Sequence, residues 1–148
     1  MKKYIFFALL FLFFIAGVIL VVVHISKQIP SATIGNHTFS LFLAKTQEER
    51  EVGLARFSTI TSNQGMLFFF NDYGKYGFWM KDMKFPIDIL FIDNNKIVTI
   101  AKNVPVQKNN INLPIYYPKK PVNRVLEIVA GTAKKDNMQE GDSATFSL

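Results

Sequence analysis

Apolar and polar positions alternate in short blocks along most of the chain, and one block departs from that habit. After Met1-Lys2-Lys3 comes YIFFALLFLFFIAGVILVVV, an unbroken apolar run of 20 residues from Tyr4 to Val23. As a helix, at about 1.5 Å per residue, it would be about 30 Å long, the thickness of a bilayer's hydrocarbon core. Secretory signal peptides carry a shorter apolar stretch, about 7–15 residues, followed by small residues at the cleavage point. Here the small pair Ala16-Gly17 lies inside the run, and apolar residues continue beyond it. The pattern predicts an uncleaved transmembrane helix, with membrane contact through Tyr4 to Val23. Lys2 and Lys3 favour a cytoplasmic N-terminus, so a single-pass protein with an extracytoplasmic globular domain is expected. Three regions follow from this: an anchor at 1–25, a linker at 26–32 and a β-rich domain at 33–148.

Within the domain the patterns are mostly those of strands. In SATIGNHTFSLFLA the pair Gly35-Asn36 separates two short runs, and Phe39, Leu41 and Leu43 alternate, which predicts a hairpin with those three side chains on one face. KTQEEREVGLARF changes to a helical pattern. Thr46 and Glu49 form a T-x-x-E capping box, Glu48 and Glu51 suit the positive end of the helix dipole, and Gly53 limits the helix to two or three turns. GMLFFF and PIDILFID are apolar on both faces and predict buried strands. Asn94-Asn95 should turn the second of these into KIVTIAK. Residues 103–121 contain Pro105, Pro114, Pro118 and Pro121 and predict a long irregular loop of the kind that serves as a lid or binding edge. VNRVLEIV is strand-like, a short helix capped by Thr132 is expected after Gly131, and a turn at Gly141-Asp142 leads to a closing strand. Many short strands with one or two short helices predict an α+β fold, mainly antiparallel β, in the form of a small barrel.

Composition removes several classes of chemistry. The chain has no Cys, which excludes disulfides, thiolate metal sites, a Cys nucleophile and a lipidated Cys anchor. With His37 the domain's one histidine, no zinc site is expected, and no EF-hand spacing, phosphate-cradling glycine loop or G-x-S-x-G elbow occurs. No metal and no cofactor is therefore predicted. The formal charge is +6, but the basic residues are scattered or in isolated pairs such as Lys119-Lys120. A nucleic-acid binder concentrates them on a patch or helix, so a nucleic-acid partner is not expected.

Several ordered motifs carry a family likeness: EERxxGLxRF, GMLFFF, FWMK, PIDILFID, VLEIVAGTA and EGDSATF. Together, from about Thr33 to Phe146, they resemble the domain of unknown function 192 family of small bacterial and archaeal proteins. The resemblance implies a compact β-rich domain with short helices, and implies no activity, substrate or cofactor. The chain departs from the family pattern at Ala55, where Met is usual, and at Asp82-Met83, where Asn-Thr is common, so a pocket lined there would differ in shape and charge.

Two carboxylates occupy positions where apolar side chains are expected. Alternation places Asp88 with Leu90 and Ile92, and Glu127 with Val125 and Val129. One reading is structural, with both pinned by Arg50, Arg56 or backbone amides so that the helix is held on the sheet. The other is functional, with both lining a pocket alongside Trp79 and Lys81. Trp79 and the run Phe68-Phe69-Phe70 are expected in the core, His37 on an exposed strand, and Tyr116-Tyr117 as exposed aromatics on the loop. The leading expectation is a domain that binds a small ligand, a wall polymer or a partner protein through a mouth framed by Trp79, Lys81 and the 103–121 loop. The alternatives are a hydrolase using Asp88 and Glu127 as acid and base, as in glycoside hydrolysis, and an assembly factor with no pocket.

Overall fold

The computed structural model describes Lys3, Phe7 and residues 10–15, all helical, together with residues 28–148. Most of the anchor predicted at 1–25, including most of its apolar run at 4–23, lies outside the described residues, among which no helix is long and apolar enough to cross a membrane.

The fold begins with the predicted hairpin. β1 (Ser31–Ile34) and β2 (His37–Ala44) pair antiparallel around Gly35, whose φ of +57° suits a residue without a Cβ. β1 thus starts at Ser31, inside the region read as linker. Its other edge pairs antiparallel with the last strand, β7 (Ala144–Ser147).

After β2 comes helix α1 (Gln47–Val52), and the capping box is formed as predicted. Glu49 donates its backbone N–H to Thr46 Oγ1, and its carboxylate accepts from the backbone of Lys45 and Thr46. Those bonds, the Thr46 amide first, hold the Glu49 carboxyl below its ordinary range. α1 stops at Gly53, where φ is +52°, and one 3-10 turn (Gly53–Arg56) completes the helical segment.

β3 (Gln64–Gly74) then runs parallel to β2. The sheet is mainly antiparallel as expected, and this one pairing makes it mixed. The 45–63 connection, with α1 inside it, is long enough to return the chain to the same end of the sheet, as a parallel pair requires. β4 (Ile87–Asp93), β5 (Lys96–Val104) and β6 (Val122–Val129) add antiparallel pairs, giving the order β5-β4-β6-β3-β2-β1-β7. The two edge strands meet at one end, where Lys96 bridges Ser143 and Ala144 donates its N–H to the carbonyl of Asn95. The result is a mainly β, mixed sheet curled into a half-barrel with two short helices.

Both faces of the sheet are covered. Ile87, Ile89 and Phe91 of β4 join Met66, Phe68, Val125, Leu54, Phe78, Met80 and Met83 in one core. Leu90 and Ile92 point the other way, into a core with Leu67, Leu126, Ile128, Phe39, Ala133 and Met138. Burying each large apolar side chain contributes about 1.5–3 kcal/mol, so a strand apolar on both faces is strongly held at the centre of a sheet.

The final helix, α2 (Thr132–Lys135), differs from expectation in its cap. Gly131 holds the N-cap position with φ +85° and Thr132 is the first helical residue, so the Thr132 side chain does not cap. A partner for the helix start comes from β4: Ala133 donates its N–H to Asp88 Oδ2 at 2.8 Å.

Candidate functional site

The six singled-out residues divide between the two faces of the sheet. Asp88 registers opposite Ile128 and Glu127 opposite Ile89 on the adjacent strands β4 and β6. Side chains alternate along a strand, so the two carboxylates project to opposite faces. They share no cleft, and the acid–base pair required by the hydrolase reading is not formed.

Asp88 is fully buried and satisfied by backbone. Its Oδ1 accepts from the amide of Asn103 at 2.7 Å and its Oδ2 from that of Ala133. Of the predicted partners the amides are the ones in place, and the helix secured is α2, not the one carrying Arg50. The ion pairs among the described residues are His37–Asp136, Lys119–Glu140 and Lys120–Asp93, so neither Arg50 nor Arg56 pairs with Asp88 or Glu127. Arg56 lies outside the site and donates Nε to the carbonyl of Gly53.

On the other face Glu127, Arg50, Trp79 and Lys81 do come together. They line a cavity of about 240 Å³ between α1 with its 3-10 turn and the 76–83 segment. The floor is Glu127, whose residue is 4 % exposed. Its strand neighbours are Met66 on β3 and Ile89 on β4, both apolar, and its Oε2 has no hydrogen-bond partner. Burial penalises the charged form, and nothing beside the carboxyl offsets it. The pKa is pushed up to about 8, so at neutral pH Glu127 is mostly an uncharged acid able to donate and accept.

Gly53 helps to leave space beside Glu127. A Cβ there would sit 3.3 Å from Phe68 Cζ and 3.9 Å from Glu127 Oε2. The aromatic wall comes from the end of β3 and the turn after it. Phe70 and Tyr76 stack with ring centroids 3.6 Å apart, and Tyr76 fixes its ring by donating its hydroxyl to the carbonyl of Asp72. Arg50 lies with its guanidinium 5.4 Å from the Phe70 ring, while Nη1 donates to the carbonyls of Lys45 and Phe69.

Phe68 is core, as expected, but Trp79 is 48 % exposed at the cavity and no ring packs on it among the described residues. The 103–121 loop supplies none of the lining, contrary to the predicted mouth. It braces the site from behind: Phe78 and Tyr116 exchange both backbone hydrogen bonds, at 2.9 and 2.8 Å. Ile115 and Tyr117 close over Gly77, where a Cβ would fall 2.6 Å from Ile115 Cγ2. Tyr117 is exposed as predicted, and Tyr116 is half-buried. His37 departs from expectation: its side chain is 16 % exposed, pairs with Asp136 and stacks on Phe39.

Sequence reasoning missed Gln47, Phe70 and Tyr76 as lining residues, whereas Met83, one of the departures from the family pattern, does line the cavity. The one available signal was Gly53, a glycine placed one turn after a strong capping box.

A small half-barrel with one uncharged buried acid facing an aromatic-walled cavity defines the structural class. The chain matches DUF192, described as uncharacterized ACR, over residues 30–146, and belongs to that family. A crystal structure of a protein of unknown function from Novosphingobium aromaticivorans DSM 12444 is similar, with a TM-score of 0.71 and 28 % identity over 78 % of this chain and 83 % of that one. A second, from Sinorhizobium meliloti 1021, provisionally described as a transcription regulator, also has a TM-score of 0.71, with 30 % identity over 79 % of this chain and 93 % of that one. No curated protein matches the chain.

Proposed function

We propose that the chain is a membrane-tethered, extracytoplasmic binding domain whose small ligand occupies the cavity between α1 and the 76–83 segment. The observation that carries the binding reading is the unpartnered Oε2 of buried Glu127. A buried polar atom without a partner costs about 1–3 kcal/mol, and such atoms are rare enough in folded proteins to require a reason. A ligand polar group supplies that reason, since it would satisfy the atom when bound. The half-exposed Trp79 at the same cavity adds an apolar contact surface with a polar edge. At about 240 Å³ the space is below the roughly 300–1,000 Å³ of pockets for drug-sized molecules, which favours something of metabolite or wall-fragment size. The tether rests on the apolar run from Tyr4 to Val23 and the two lysines before it.

The test is thermal unfolding of the full chain, held in a mild detergent, against a panel of wall fragments, sugars and small organic acids and amines. A ligand selective for the native state raises the melting temperature by linkage. At least one compound should do so in the native protein and do so less in Trp79→Ala. A flat response across the panel would transfer weight to an assembly role that leaves the cavity unused.

A further inference from the structure

The cavity's lining is not neutral in character, and its polar groups point to one kind of ligand. Four groups there can carry charge. Glu127 forms the floor, Arg50 and Glu51 belong to α1, and Lys81 belongs to the opposite wall; Tyr76 adds a hydroxyl already donated to Asp72. The residues registered beside Glu127 on β3 and β4, Met66 and Ile89, are apolar and supply no charge.

Glu51 is turned along its own helix, where Gln47 Nε2 donates to Glu51 Oε1 at 2.8 Å. Glu127 is held largely uncharged by burial. With Glu51 engaged along its helix, the two cations Arg50 and Lys81 outnumber it, and the lining as a whole carries one net positive charge.

Arg50 is also preorganised. Two backbone carbonyls hold Nη1, and the guanidinium lies over Phe70. Its Nε and Nη2 have no protein partner among the described residues. An anchored guanidinium with a free edge matches a carboxylate's two oxygens, and little side-chain entropy remains to be lost on binding.

Resting on the reading of this cavity as a ligand site, we infer that it takes a small organic anion, a carboxylate with an apolar body. The free edge of Arg50 binds the carboxylate, Phe70, Tyr76 and Trp79 contact the body, and Glu127 hydrogen-bonds a ligand oxygen at the floor. An amine would meet Arg50 and Lys81 and be repelled. A neutral amide would leave the Arg50 edge without an anionic partner.

Trp79 is the chain's single tryptophan, so intrinsic fluorescence reports on this cavity. The experiment titrates the full chain in mild detergent with three probes of one shape: 4-methylpentanoate, 4-methylpentanamide and 4-methylpentylamine. The carboxylate should saturate at a concentration at least tenfold below the amide, and the amine should bind more weakly still. Arg50→Gln should remove the preference of carboxylate over amide. Since ionised Glu127 would oppose an anion, affinity for the carboxylate in the native protein should fall as pH rises past 8. That profile and the three-probe ranking need no variant, so they stand even if Arg50→Gln fails to fold.

Amide or amine binding as tightly as the carboxylate overturns the inference, and so does a ranking unchanged in folded Arg50→Gln. If only neutral or cationic compounds in the thermal panel bind while none of these three does, the anion assignment is wrong and the ligand site survives. If nothing binds at all, both are wrong.

Discussion

Asp88 and Glu127 sit on neighbouring strands, are both buried, and differ in one respect that separates structure from function. Asp88 has two backbone amides on its two oxygens. Glu127 has an oxygen with no partner and a cavity in front of it. Burial by itself therefore says little about a carboxylate's role. What distinguishes the two is whether the surrounding chain has already answered the group's hydrogen-bonding demand. On one face the answer is complete and the acid joins a helix start to a strand end. On the other it is incomplete, and the acid stays protonated beside space that a ligand can fill.

The largest effect should come from breaking the satisfied side. Asp88→Ala leaves the amides of Asn103 and Ala133 without their acceptor and opens a hole in the second core. With about 1–3 kcal/mol for each orphaned donor, plus lost packing, the cost should be about 3–5 kcal/mol, read from the urea unfolding midpoint. Asp88→Asn retains one acceptor and should fall between the variant and the native protein. A loss below about 1 kcal/mol in Asp88→Ala would mean that the two amides find other partners and that the contrast with Glu127 is empty.

The unsatisfied side should respond in the opposite direction. Glu127 has a folded pKa of about 8 against an ordinary 4.5. Below 4.5 the acid is neutral in both folded and unfolded chains. As pH rises from there the unfolded chain loses the proton first, so stability falls until the folded form also ionises near 8. At about 1.4 kcal/mol per pH unit this drain is a few kcal/mol by pH 8. Glu127→Gln cannot ionise, although its amide must itself be accommodated. It should be more stable than the native protein by about 2 kcal/mol at pH 8 and show no gain at pH 4.5. A native melting temperature that does not decline between these pH values would show that Glu127 is not held neutral.

How much of this was legible in the sequence depended on whether the cause was local. The hairpin at Gly35, the capping box at Thr46 and Glu49, and the two-faced strand at 87–93 were all readable, because each follows from residues a few positions apart. Alternation also gave the neighbours of Asp88 and of Glu127 on their own strands correctly. Whether those two faces coincide is set by the β4–β6 register, a pairing between segments 39 positions apart in the pairs Asp88–Glu127 would have needed. No local pattern encodes it. The expected arginine partners failed for a related reason. Opposite charges attract in any sketch of a sequence, but backbone amides carry no sequence signature, and here Asn103 and Ala133 reached Asp88. The parallel β2–β3 pair, the exposure of Trp79 and the His37–Asp136 contact are likewise products of long-range assembly.

The smallest effect sharpens the comparison by setting a local cap against a distant one. Both short helices need a partner for amides at their starts, because an α-helix leaves its first N–H groups without intrahelical acceptors. α2 receives its partner from Asp88, through a bond made inside the core. α1 receives its own from Thr46, at the surface, where water can replace the bond. Thr46→Ala should therefore cost about 1 kcal/mol, well under the Asp88→Ala loss, and the difference between the two measures burial as much as hydrogen bonding. Because α1 carries Arg50 and Gln47 into the cavity wall, a looser helix start should also blunt ligand-induced changes in Trp79 fluorescence while leaving the pH dependence from Glu127 in place. Equal destabilisation by Thr46→Ala and Asp88→Ala in urea would show that the two caps are equivalent and that depth in the core adds nothing to the second.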